Sequence, residues 1–196
     1  MALHRLLYGA NFIALILLSR NLLAEPGDAE AGLATFGLLT AISFAGNGLA
    51  MVLTPLAHER VSPARWVVLC LGLGAVSQLV LATTPSFPVV ATAAALLGLS
   101  VQGSKIAVDT IVQRDTHDAY RGRAFALYDV LYNAAFVGAA ALAATVLPDE
   151  GWSRPVVLGL ATAYALGALA YRLVPVEPVE PVEPVEPAGL TEPTAG

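Results

Sequence analysis

Apolar residues in this chain come in long blocks rather than in strict alternation. Six blocks stand out, at residues 6–23, 33–57, 66–82, 88–111, 125–147 and 156–171. Each approaches or exceeds the roughly 20 residues that carry a helix across about 30 Å of hydrocarbon, the last being the shortest. The third and sixth are uncharged, the fourth is interrupted by Lys105 and Asp109, and the fifth holds one acid, Asp129. Between the blocks lie turn-forming or charged stretches: Glu-Pro-Gly-Asp at 25–28, residues 58–65 with Pro63, Thr-Thr-Pro-Ser at 83–86, the charge-rich 113–123, and Pro-Asp-Glu-Gly at 148–151. The pattern predicts an all-α membrane protein with six transmembrane helices over residues 1–173.

A different material follows. Residues 175–187 repeat Pro-Val-Glu four times and end in Pro. Proline at every third position forbids helix and sheet ladders and favours extended polyproline II. Residues 174–196 therefore read as a disordered cytoplasmic tail, with a motif for a polyproline reader as the alternative.

Composition narrows the solvent. Hydrophobic residues make up 57% and charged residues 13%, against about 25% charged in a soluble domain, and mean hydropathy is +0.70. A water-soluble surface cannot be built from so few polar groups. The net charge of −5 misleads, because five of the fifteen acids fall in the last twenty residues. No basic patch interleaved with aromatics points to nucleic acid. One cysteine, Cys70, precludes an internal disulfide, and no His/Cys cluster suggests a metal or cofactor.

The basic residues set an orientation. Numbering the connections alternately places Arg5, Arg60, Arg65, Arg114, Arg121, Arg123 and Arg172 on one side and only Arg20 and Arg154 on the other. The arginine-rich side is cytoplasmic by the positive-inside rule, which puts both termini there in a cell membrane. An N-terminal signal peptide is the rival reading of the first block. It fits poorly, because Arg20-Asn21 falls where a cleavage region is small and neutral.

Ionisable groups inside spans are expensive and mark function by default. Lys105 and Asp109 are four apart, so they share a helix face and can pair. Asp129 lies at a similar depth in the next span, and a short connection predicts that the two spans are neighbours. The three are expected to form one cluster near the cytoplasmic side, serving either coupling and gating or the static orientation of two helices. Asn11, Gln102 and Asn133 are further pathway candidates, with hydrogen bonding between helices as the structural alternative; for Asn47 that alternative is preferred. Arg114, Arg121 and Arg123 are candidates for a cytoplasmic gate or for topology anchors. Gly9, Gly46, Ala50, Gly98 and Gly138 suggest close helix packing. His4, His58 and His117 fall in the cytoplasmic flanks, where solvated surface is expected.

Several pieces carry a family resemblance: Val108-Asp109-Thr110, Arg121-Gly122-Arg123, the run Leu127-Tyr128-Asp129-Val130-Leu131 followed by Asn133, and the opening His4-Arg5-Leu6-Leu7-Tyr8-Gly9. Residues 1–172 resemble the C-terminal six-helix half of a major facilitator superfamily transporter. In that superfamily a glycine- and Asp-containing basic turn follows the second helix of a half; residues 54–60 have the bases but neither of those two residues. The resemblance implies two three-helix sets related as inverted repeats. Its first and fourth helices would line a cavity, and its third and sixth would lie at the periphery. It also implies secondary transport of a small solute, with export and proton coupling as finer expectations. The partners implied are the lipid bilayer, a small-molecule substrate and an N-terminal six-helix half, which could be split off, missing or supplied by a second copy. The other reading is a transport-inactive membrane assembly or regulatory protein. An enzyme is not expected, since no nucleophile, base and orienting acid can be assembled.

Overall fold

The computed structural model describes residues 2–25 and 27–173, apart from the side chains at 118 and 119. The tail expected over 174–196 lies outside them. The described residues form six helices and no strand: α1 (Ala2–Asn21), α2 (Ala29–His58), α3 (Pro63–Leu81), α4 (Phe87–Asp115), α5 (Asp118–Val146) and α6 (Arg154–Leu173). All six are long and apolar enough to cross a membrane.

Starts and stops follow local chemistry. The Asp28 carboxylate accepts the Ala31 N–H at 2.9 Å and opens α2, while Ser62 caps α3 with Pro63 in its first turn. A side-chain oxygen there satisfies an N–H that has no partner within the helix. Three helices outrun their apolar blocks: α2 has 30 residues, and α4 and α5 have 29 each. At 1.5 Å per residue that is about 45 Å, longer than the hydrocarbon is thick. The charged stretch 113–123 is therefore nearly all helix, broken only at Thr116 and His117. Charged side chains in water carry no desolvation cost and continue a helix readily. Similarly, α2 runs through Pro55 to His58, and Thr54 accepts the Trp66 indole N–H at 3.2 Å, which joins the exit of α2 to the entry of α3.

α4 is packed between α2 and α3, and α3 between α4 and α6. The third block, expected at the periphery, touches helices on two sides and leaves Leu69, Val76 and Leu79 exposed on another. α5 rests almost wholly on α1 and is the least covered helix. Lipid offers apolar side chains no hydrophobic gain over one another, so close approach at small residues brings the helices together. A Cβ on Gly46 would run into the backbone carbonyl of Ala95, and one on Gly98 into that of Ser43. These two glycines seat α2 and α4 on each other, with Ala50 fully buried beside them. Gly9 does the same for α1 and α5, where a Cβ would lie 2.7 Å from that of Ala139. Gly138 meets open space, so the packing role expected for it is not present.

Two apolar clusters fill the interior. One holds Leu7, Val67, Leu71, Val101 and Tyr164; the other holds Leu18, Leu39, Leu81, Val90 and Val157. The end carrying the α3–α4 and α5–α6 turns is stitched by backbone carbonyls. Asn21 donates to the carbonyl of Asp149, and Trp152 Nε1 to that of Leu81 at 3.0 Å. Arg154 donates to Ala82 and Thr83, both at 3.0 Å. Arg154, an exception in the charge count, thus satisfies carbonyls left over at the end of α3.

Candidate functional site

The polar groups converge where α1, α4 and α5 meet, toward the end of the bundle at which α1 and α5 begin. α4 supplies Lys105 and Asp109 one turn apart, and their side chains pair at 2.6 Å as the spacing predicts. Their side chains are 33% and 26% exposed, so the pair is neither solvated nor sealed. Asp109 Oδ1 is buried without a hydrogen-bond partner among the described residues. The Lys105 ammonium also sits 5.9 Å from the centre of the Tyr128 ring on α5.

Asp129 does not complete the expected cluster. It is exposed on α5 and forms no ion pair among the described residues. The cause is the helix order: α5 docks on α1 and barely touches α4, despite the two-residue connection. The side of α5 that meets α4 and α1 presents aromatic rings instead, with Tyr128 stacked on Tyr132 at 5.7 Å. Asn133 is likewise exposed, and its amide donates to the Asp129 carbonyl at 2.8 Å.

Arg5 is the functional candidate that sequence reasoning missed, because it was read only as a topology anchor. Its guanidinium lies 4.4 Å from the ring centres of both Tyr132 and Phe136 and 5.3 Å from that of Tyr8. Each contact of this kind contributes about 0.5–2 kcal/mol, more where water is excluded. Its Nε is buried without a hydrogen-bond partner among the described residues. The signal available in the sequence was the recurrence of aromatics at 8, 128, 132 and 136, one helix turn apart on α5.

Asn11 is 8% exposed and donates to the Leu7 carbonyl at 2.9 Å, within its own helix. Neither it nor Asn133 makes the bond between helices that was the alternative. Gln102 is half-buried on α4. Arg114 is exposed and paired with Asp115 at 2.6 Å. Arg121 Nη2 donates to the Thr116 carbonyl at 3.5 Å, beside the α4–α5 break, and Arg123 is exposed.

His4 is a correction. Expected on the solvated flank, it is 4% exposed, stacked edge-on to Tyr164 at 5.3 Å, with Nε2 3.4 Å from Ser100 Oγ. α1 begins beside the middle of α4 and α6, so His4, in its first turn, lies inside the bundle. His58 is half-buried and His117 exposed.

The charged side chains within the spans gather on one side of the unit, where α5 also exposes apolar residues such as Leu131 and Val137. The α3 and α6 side exposes apolar side chains such as Leu69, Val76, Leu79 and Leu166. The α1–α4–α5 side holds an ion pair, a ring-bound guanidinium and an open carboxylate. Such a face is costly against hydrocarbon and suits contact with water or protein.

Residues 2–195 match the family described as Major Facilitator Superfamily. An uncharacterized MFS-type transporter of Mycobacterium bovis is 32% identical over 174 residues, covering 89% of this chain. One of Mycobacterium tuberculosis matches to the same extent. The chain spans 38% of the length of each of these relatives. No solved structure matches.

Proposed function

The chain belongs to the major facilitator superfamily, and from that premise we propose that it forms one six-helix half of a secondary transporter for a small solute. The observation that carries the reading is the exposed polar face of α5. Asp129 and Asn133 stand uncovered within the otherwise largely apolar stretch 125–146 of α5, an arrangement that calls for a second six-helix half across a water-filled path. That half is either a separate chain segment or a second copy of this one.

In this reading the substrate moves between the two halves, past Asn11, Gln102 and Asn133. Lys105, Asp109 and Asp129 are the titratable groups that couple movement to protons. Arg5 is held in place by its three rings rather than by a carboxylate. The direction proposed is export from the cytoplasm, through a cell membrane in which the arginine-rich ends face inward. Arg114, Arg121 and Arg123 then border the inner mouth.

The test uses vesicles from membranes that contain the chain. Proton-linked flux is followed with a pH-sensitive dye while a panel of small solutes is added. At least one solute collapses an imposed gradient, and Asp129→Asn slows that flux about tenfold, which corresponds to 1.4 kcal/mol of barrier, with membrane insertion unchanged. Undiminished flux through Asp129→Asn removes Asp129 from the mechanism. Absence of flux for every solute, with the protein inserted and folded, removes the transporter reading.

A further inference from the structure

Away from the ion pair, the packing of α1, α2, α3 and α4 leaves a cavity of about 70 Å³. A buried site needs roughly 10–15 Å³ by this measure to hold one water, so the space admits a group of several heavy atoms. Its wall includes Gln78, a strongly polar side chain within the uncharged stretch of α3 that follows Arg65. Gln78 is 0% exposed, and both its amide nitrogen and its amide oxygen lack a hydrogen-bond partner among the described residues. The Thr40 hydroxyl, also on the wall, is buried and unpartnered in the same sense.

An unsatisfied amide in an apolar interior costs roughly 2–7 kcal/mol. Leucine or methionine would fill the same place without that cost, so the amide calls for a partner that enters from outside. Asn11, Ser43 and Ser77 add further polar side chains, of which Asn11 and Ser77 already donate to backbone carbonyls, and Tyr8, Phe12 and Phe44 supply aromatic surface. Phe44 is 64% exposed, so this part of the wall reaches the surface of the six-helix unit. A mostly apolar lining with a few converging polar groups is the usual makeup of a small-molecule site. Among the described residues no charged side chain lines the space, so a charged ligand would lose its hydration without compensation. Gln78 presents one donor group and one acceptor group side by side.

We propose that this cavity binds a small neutral carboxamide, the ligand amide pairing donor to acceptor with Gln78 and its apolar part resting against Phe12 and Phe44. The site shares Asn11 with the proposed substrate path, but it is built from packing inside one half and would stand whether or not the chain transports anything.

The test measures binding, not flux. Radiolabelled benzamide is titrated against the full chain in lipid nanodiscs, with empty nanodiscs subtracted. Saturable binding is expected. It weakens at least about tenfold in Gln78→Met, which keeps the volume and removes both hydrogen bonds, and severalfold in Thr40→Val. Val76→Ala, on the exposed side of α3, leaves it unchanged, and benzoate does not compete. Thr40→Val removes one hydroxyl at constant shape, so it keeps the test decisive should Gln78→Met fail to fold. Non-saturable uptake by the parent chain, equal binding by both cavity variants, or competition by benzoate would each overturn the proposal.

Discussion

Gly46→Ala and Gly98→Ala each destabilise the helical bundle by more than about 3 kcal/mol, whereas Gly48→Ala is neutral or stabilising by up to about 1 kcal/mol. A methyl at position 46 or 98 meets a backbone carbonyl of the facing helix, of Ala95 or of Ser43 respectively. A flexible side chain could move aside, but a helix backbone cannot without shifting its whole length. Overpacking against side chains typically costs 1–3 kcal/mol, and backbone is less forgiving. The loss also spreads, because α4 carries the contacts to both α2 and α3. Gly48 lies on the same helix, and a Cβ there meets nothing within 4 Å. Alanine then only removes the intrinsic penalty of glycine in a helix, about 0.8–1 kcal/mol. Thermal unfolding in detergent, followed by loss of the monomer peak in size-exclusion chromatography, reads both signs. Equal midpoints for Gly46→Ala and Gly48→Ala would show that α2 and α4 are not seated at Gly46.

Lys105→Met lowers stability by about 2–3 kcal/mol, and adding Asp109→Leu recovers most of it. With side-chain exposures of 33% and 26%, the pair falls between exposed bridges, worth roughly 0–1 kcal/mol, and buried ones, whose breaking costs about 3–5 kcal/mol. Removing the lysine leaves a half-buried carboxylate whose Oδ1 already lacks a hydrogen-bond partner among the described residues. Removing both charges leaves an apolar pair of similar volume, which is often neutral. The same two variants separate the possible roles of the pair. A static strut is replaceable, so the double variant would transport normally. A coupling element is not, so the double variant would fold well and still transport at most a tenth as fast as the parent. The functional reading predicts stability restored and flux lost.

How much of this could be read from the chain depends on the distance over which each contact acts. The six helices were legible because a solvent preference acts on every residue of a block independently. The Lys105–Asp109 pair was legible because both partners sit on one helix, where spacing alone sets geometry. Asp129 was misplaced because its surroundings depend on which helix α5 packs against. The short connection favoured α4, but the small surface at Gly9 and the rings around Arg5 favour α1. His4 was misread for a related reason. Its distance from solvent is set by how far α4 and α6 extend past the start of α1, and no local pattern encodes that offset. Gln78 could be identified as an exception in an apolar helix, yet its lack of a partner appears only once four helices are assembled around it.

The central claim is that the α1–α4–α5 face borders water while the α3 face borders lipid. Single cysteines at Asp129, Asn133, Val76 and Leu79 test it directly, since the native Cys70 is 2% exposed and shielded from reagent. A charged, membrane-impermeant thiol reagent is applied to inverted vesicles containing the full chain. The account predicts labelling of Asp129→Cys and Asn133→Cys and none of Val76→Cys or Leu79→Cys. Four silent positions, or four equally reactive ones, would contradict it.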